Sequence, residues 1–395
     1  MATEGLFLSA HEVSSDMASS AAMLLILGAS GLAILSFTFA VALWTQRRKP
    51  SAVTGPRAGI SVLKPLKGVD GRLEENLIAV LCQDHPEFEV LFAAEDPLDP
   101  ALAVARAVCA RFPRVKTKVL VGEVKEGLNP KVRLLRELEQ HARYPFLLIS
   151  DSNVCPSPTY LSEVQDRQVE SGAALVHCLL GSTKPETFAD DLEQVQLATW
   201  VVPTVALTSL FQHPVVIGKS MLLERETLNR AGGFAAVRDV LAEDHILGQL
   251  ITKQAGGTIA LSPYLLPVSS VGRGFRGFWN RYVRWGQMQK TIAPVAFVMT
   301  LLVQPTPYLA LAALRGSALQ LGLALGLMGL RAGFECYLVI RAGGRLTARK
   351  FVAWFCRDML FFAIWVASLL RRTVSWRGQR LLVGSGSRLS PVLKA

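Results

Sequence analysis

The sequence predicts an α/β fold with a mostly parallel sheet, flanked by transmembrane helices. Three observations carry that prediction. Apolar residues make up 51% of the 395-residue chain, and the excess lies at its two ends, as expected for membrane segments around a soluble middle. Between residues 57 and 275, short apolar runs alternate with amphipathic stretches, the pattern of strands joined by crossover helices. Carboxylates follow two of those runs, at the strand ends where open parallel sheets bind ligands.

Taken in order, residues 1–20 form a short non-cytoplasmic N-terminus that carries Glu4, Glu12 and Asp16. Residues 21–44 contain no charge and are long enough to cross a bilayer. Arg47-Arg48-Lys49 follows, so the positive-inside rule puts the N-terminus outside and makes this segment an uncleaved anchor. The domain over 57–275 has predicted strands at 58–64, 88–94, 116–121 and 145–150, and amphipathic helices at 72–83, 99–111 and 130–141. The apolar run 197–217 is predicted to be a membrane-surface or acceptor-lining helix broken by Pro203 and Pro214. A span there would put Asp151 and Asp244 on opposite sides of the bilayer.

Residues 276–290 read as an interfacial helix, 291–370 as a C-terminal membrane region and 371–395 as a basic tail. The membrane region holds three apolar stretches, 291–314, 316–340 and 351–370, the first two meeting in a tight hairpin at Arg315. Basic residues border the third stretch on both sides, so it is either re-entrant or interfacial, or it crosses against the charge rule. Arg357-Asp358 lies inside it, as an ion pair or a substrate contact. Net charge is +11, with the basic clusters beside apolar stretches. That placement fits anionic headgroups and not nucleic acid. The six cysteines and six histidines show no metal or disulfide spacing.

Four motifs carry chemistry. Glu95-Asp96 follows the second strand, where Asp96 is predicted to bind the nucleotide while Asp99 caps the helix begun by Pro100. Asp151-Ser152-Asn153 follows the strand ending at Ser150, and Asp151 is the predicted ligand of a divalent cation, Mn or Mg, that neutralises a diphosphate. Glu243-Asp244 opens a helix; Asp244 is the predicted base and Glu243 an acceptor-site neighbour that raises its pKa. In Arg281-Tyr282-Val283-Arg284-Trp285, helical spacing puts Arg281, Arg284 and Trp285 on one face, as a diphosphate clamp and an acceptor wall. Lys64, Pro65 and Gly68 after the first strand, and Asn129 and Lys131 in a turn before a helix, complete the predicted nucleotide-sugar site. Each motif alone also reads as a cap, a turn or an interfacial helix. Gly218-Lys219-Ser220 is too short for a phosphate-binding loop and is set aside. The ordered set of three carboxylates and Arg-x-x-Arg-Trp at a membrane entrance points to an inverting glycosyltransferase with a lipid-like acceptor.

From about residue 58 to about 380 the chain resembles the ceramide glucosyltransferases, through SVLKPLKGVD, EDPLDPA, GLNPKV, SDSNV, LEQV, AEDHILG, RYVRW and VSWRGQR. The resemblance implies a GT-A catalytic domain and transfer of a sugar, glucose above all, from a UDP-sugar to the primary hydroxyl of ceramide with inversion. It implies nucleotide binding by Asp96, nucleotide or metal binding by Asp151, a base at Asp244 and a clamp of Arg281, Arg284 and Trp285. Where animal members have Ser-His-Pro after LEQV, this chain has Trp200-Val201-Val202, which leaves open a different acceptor or sugar. A hopanoid N-acetylglucosaminyltransferase is the nearest alternative. A processive polysaccharide synthase has the same carboxylates but needs more spans. The expected setting is a multi-pass membrane protein with a cytosolic catalytic domain, in a bacterial inner membrane or, in a eukaryote, a Golgi membrane. Oligomeric state is not legible.

Overall fold

The computed structural model describes residues 10–48, 57–69, 71–211, 214–272, 274–342, 344–376 and 379–392. It opens with α1 (Ala10–Arg47), of which Met17–Arg47 is long and apolar enough to cross a membrane. Four strand–helix units follow. They are β1 (Ile60–Pro65) with α2 (Leu73–Leu81), β2 (Phe88–Ala94) with α3 (Pro100–Ala110), β3 (Lys116–Val121) with α4 (Pro130–His141), and β4 (Phe146–Ser150) with α5 (Tyr160–Ser171). Two local signals start the second and third helices. Asp99 accepts from Ala101 N and precedes Pro100, and Asn129 accepts from Lys131 N and Val132 N and precedes Pro130.

The chain continues through β5 (Leu175–Ser182), α6 (Phe188–Gln196), α7 (Val202–Thr208), β6 (Ser220–Glu224), α8 (Arg225–Arg230), α9 (Glu243–Lys253) and β7 (Ile259–Val268). Together the strands make one sheet in the order β3-β2-β1-β4-β6-β5-β7. β1 to β4 are mutually parallel, β6 runs antiparallel between β4 and β5, and β7 returns parallel to β5. Helices cover both faces, so every residue of β1 is buried, Ser61 and Lys64 included. The parallel arrangement brings the carboxyl ends of β2, β1 and β4 to one edge, and three of the four motifs converge there or beside it.

The surface helix predicted over 197–217 takes a different form. α6 passes through a π-turn (Leu197–Val201) directly into α7, and helix ends at Thr208, well before Pro214. Val202 N–H reaches back five residues to Leu197 O. The wide turn thus absorbs the hydrogen bond that Pro203 cannot donate, and the helix is not broken there.

Beyond the sheet come α10 (Gly274–Ile292), α11 (Pro294–Val303), α12 (Pro305–Arg315), α13 (Ala318–Arg341) and α14 (Ala348–Leu370). The first predicted apolar stretch is divided at Gln304, whose extended backbone is what a residue before proline prefers. The hairpin after Arg315 is set by Ser317, which forms a capping box with Gln320. Pro294–Arg315, Ala318–Arg341 and Ala348–Leu370 each have the length and hydropathy of a span. α1 packs closely on this group. A side chain at Gly28 would meet Leu309, and one at Gly31 would meet Val303 O at 2.8 Å, so glycine sets the helix separation. The tail folds into an antiparallel sheet of β8 (Thr373–Trp376), β9 (Gln379–Val383) and β10 (Leu389–Pro391).

Candidate active site

At the end of β4, Asp151 sits among three lysines. Lys131 Nζ lies 3.1 Å from Asp151 Oδ1 and Lys219 Nζ 2.9 Å from Oδ2. Lys64 Nζ, fully buried at the end of β1, donates to Asp151 O at 2.8 Å and to Ser150 Oγ at 3.2 Å. Burial alone would raise the Asp151 pKa, but the charges of Lys131 and Lys219 hold it far below the usual carboxylate range. Burial dominates at Lys64, whose pKa falls to about 7. At Lys131, burial is outweighed by the surrounding carboxylates, which raise its pKa.

Lys131 also lies 3.0 Å from Glu243 Oε1 and donates to Gly218 O at 3.0 Å. Gly218 N–H donates to Asp244 Oδ2 at 2.5 Å, and His245 N–H donates to Asp244 Oδ1 at 2.8 Å. A side chain at Gly218 would sit 2.9 Å from both Asp244 Cβ and Lys131 Nζ, so only glycine fits between them. Asp244 therefore stands in the first turn of α9, held by backbone donors and only half-buried. Burial raises its pKa against the opposing pull of Lys131 and those two N–H groups. A carboxylate with a raised pKa at a cavity wall is suited to accept a proton.

That wall belongs to a cavity of about 280 Å³. Asp244 and His245 line its polar end, and Trp200, Trp285, Met288 and Phe361 line its apolar body. The cavity runs between α7, α10, α11 and α14, so it joins the carboxylate to the apolar helices. Trp285 is fixed by an edge-on contact with Tyr282 at 5.3 Å.

Set beside known proteins, the profile of glycosyl transferase family 21 matches residues 23–389. This chain belongs to that family. It is therefore a glycosyltransferase, and its α/β domain is of the GT-A type. Family relatives include ceramide glucosyltransferase 1 of Caenorhabditis elegans, 23% identical over 84% of this chain and 73% of the relative. The ceramide glucosyltransferase of Pyricularia oryzae is 23% identical over 85% of this chain and 86% of its own. Among solved structures, a mannosyltransferase from Pyrobaculum calidifontis in complex with GDP-mannose and Mn²⁺ matches with TM-score 0.58 at 17% identity. It covers 89% of this chain and 99% of that one, a likeness of fold.

In this family 21 enzyme the predicted site residues fall into three groups. Asp151, Lys64, Lys131, Glu243 and Asp244 meet in one network, with Arg281 close enough to Asp151 to feel its charge. Asp96 stands apart at the end of β2, exposed, with Oδ1 accepting from Leu98 N at 2.9 Å. Only β1 separates its strand from that of Asp151, so the two carboxylates flank Lys64-Pro65 across about 10 Å. Gly68 adopts φ +63° and gives its N–H to the Asp99 cap. Arg284 is half-buried on α10 beside Trp285.

Three residues do something other than expected. Asn129 is buried, with Oδ1 capping α4 and Nδ2 donating to Val240 O and Glu243 Oε2, so it braces the site from behind. Glu243 turns toward Lys131 and Asn129 and does not line the cavity. Arg281 forms a buried ion pair with Glu193 of α6, which anchors α10 to the domain. The residues passed over in the sequence are Gly218 and Lys219. Their signal was a glycine–lysine pair immediately before a strand that adjoins the Asp151 strand.

The donor set for a cation can be judged from Lys219. Its Nζ lies 2.9 Å from Asp151 Oδ2 and 2.7 Å from Asn153 Oδ1, so two hard oxygens converge on one cationic point. Among the described residues no group of three or more His, Cys, Asp or Glu is placed to hold a metal.

Proposed function

We propose that the chain transfers a sugar, glucose first, from a UDP-sugar to the primary hydroxyl of ceramide or a related lipid, with inversion. The observation that carries this reading is the position of Asp244. It is at once a carboxylate with a raised pKa and a polar wall of a largely apolar cavity facing the membrane helices.

In this mechanism Asp244 takes the proton of the acceptor hydroxyl. The hydroxyl oxygen attacks the anomeric carbon, and the bond from that carbon to the diphosphate oxygen breaks with its electron pair leaving on UDP. One displacement inverts the carbon. Lys219 and Lys131 supply positive charge at the strand ends, Lys64 an N–H donor that fixes the Asp151 backbone, and Arg284 a planar fork from α10. Asp96, exposed one strand away, is free to meet the nucleoside. Mn or Mg, when bound, would be held by Asp151 and Asn153 Oδ1 in place of Lys219, and would add charge neutralisation at the leaving diphosphate. Trp285 and Trp200 wall the lipid site. Trp200 also supports a second reading, a rigid polycyclic hopanoid acceptor stacked on its ring.

The test is purified protein in detergent with UDP-glucose, UDP-galactose, UDP-glucuronate or UDP-N-acetylglucosamine against ceramide, diacylglycerol or a hopanoid polyol, with and without manganese. An inverted glycosylceramide is the expected product. Transfer only to the hopanoid replaces the acceptor, and no UDP release with any pair sinks the reading.

A further inference from the structure

α14 has the length of a span, but both of its ends are tied to the soluble domain. At its start, Arg349 pairs with Asp191 of α6 and donates to Glu186 O at 3.0 Å. At its end, Lys290 of α10 donates to Ser368 O, Leu369 O and Arg371 O, and Gln287 donates to Arg371 O and Thr373 O. The tail then docks on the loop before Asp244. Leu241 N–H donates to Ser387 O at 2.8 Å, Ala242 N–H to Ser387 Oγ at 3.2 Å, and Leu389 N–H to Asp239 O at 2.7 Å.

Between its ends α14 lies alongside α10, in the same direction. Phe361 packs on Phe278 and Tyr282 at 6.2 and 5.0 Å, and Ser368 Oγ donates to Val283 O at 3.1 Å. A helix crossing the bilayer would carry Arg349 and Arg371 to opposite faces, about 33 Å apart along the axis. One soluble body holding both ends excludes that arrangement.

The face turned away from the domain is apolar and exposed: Phe351, Val352, Phe355, Met359, Phe362 and Leu369. The opposite face buries Ala353, Arg357, Ile364 and Ser368 against the protein, while Asp358, in phase with Phe351 and Phe362, is covered by Arg331 of α13. Basic residues stand at both ends, Arg345 and Arg349 before and Arg371 and Arg372 after. This is the make-up of a helix lying in a membrane surface with its cations at the headgroups.

We infer that α14 lies along the cytosolic leaflet, its phenylalanine face in the acyl boundary, and that the chain crosses the bilayer three times, through α1, α11–α12 and α13. The N-terminus is then outside and the C-terminus cytosolic. Every basic cluster falls on the cytosolic side, as the charge rule requires. The inference holds whatever the acceptor lipid, so it stands or falls separately from the proposed reaction.

Two measurements on the full chain test it. Reporter fusions after Ala395, expressed in a bacterial inner membrane, are expected to give a fluorescent GFP and an inactive alkaline phosphatase. A fusion in the Gly316–Ser317 turn should give the reverse. Spin labels on Phe351→Cys, Phe355→Cys, Phe362→Cys and Leu369→Cys in vesicles of neutral and anionic lipid are expected at one shared depth, about 5–10 Å below the headgroups. An active phosphatase at the C-terminus overturns the topology. Depths spread over about 27 Å, or deepest at the middle label, overturn the in-plane placement.

Discussion

Two buried ion clusters in this molecule are built from opposite materials. Between α13 and α14, Arg331 and Arg357 bind Glu335 and Asp358, with Thr306 and Thr199 as further acceptors, and all four charged side chains are at most 3% exposed. Planar guanidinium forks match carboxylates rigidly, and two cations balance two anions. Around Asp151 the cations are lysines, flexible point charges, and Asp244 is held by two backbone N–H groups and opens on a cavity. The first cluster pairs two cations with two anions and fixes α13 to α14, with Asp358 at the edge of the cavity. The second can exchange partners, as a site must when a charged donor enters and leaves.

Asp244→Asn offers the sharpest test of that contrast. It preserves shape and should lower kcat about 10³-fold, while donor affinity, read by titration calorimetry, stays within about threefold of wild type. Arg331→Met tests the other side. It leaves Asp358 and Glu335 under-paired in a dry setting and should cost about 3–5 kcal/mol of stability, seen as a lowered thermal midpoint with activity per folded molecule kept. Equal loss of activity in the folded fraction would erase the distinction. Lys219→Met should raise the donor KM about tenfold, the weight of one charge-assisted contact, with the acceptor KM unchanged.

The pH profile refines the comparison. Burial raises Asp244 above an ordinary aspartate, so kcat should fall tenfold per unit on the acid side of that raised value, as the proposed base becomes protonated. Lys131 opposes the rise, so Lys131→Met should move the acid limb to higher pH. An unmoved limb would show that Asp244 is not the titrating base. Ser387→Gly keeps the left-handed backbone at φ +61° but removes the oxygen that accepts from Ala242 N–H. About 1 kcal/mol of loosened anchoring before Asp244 should lower kcat about fivefold.

The legible parts of the sequence were those with a local cause. β1 to β4 are short, mostly apolar runs set between amphipathic stretches, and Asp99-Pro100 and Asn129-Pro130 are caps written in adjacent residues. β5, β6 and β7 were not read. β7 carries Pro263 and Pro267 and shifts register opposite Cys178 and Leu179. Asp151 and Asp244 could be singled out only as members of an ordered set of motifs, because an acid after a strand or at a helix start also serves as a turn or cap residue. The roles of Asn129 and Glu243 could not be foreseen, because each is fixed by a partner more than a hundred residues away. Lys219 was set aside for a related reason, since its partners Asp151 and Asn153 lie 68 and 66 residues away. Its meaning lies in the neighbouring strand, and a short Gly-Lys-Ser pattern says nothing of that.

The π-turn at Leu197–Val201 makes the cavity a matter of phase. Each residue added to or removed from a helix rotates everything beyond it by about 100°. Thr204 and Val205 of α7 face the cavity only because one extra residue is absorbed just before Pro203. Deleting Ala198 would remove that extra residue, return the segment to a regular α-helix and leave Thr204 and Val205 facing the cavity, whereas a regular helix that kept every residue would turn them away. The shape of the cavity is thus held by the wide turn, which lets the count of residues before Pro203 differ by one without displacing that wall.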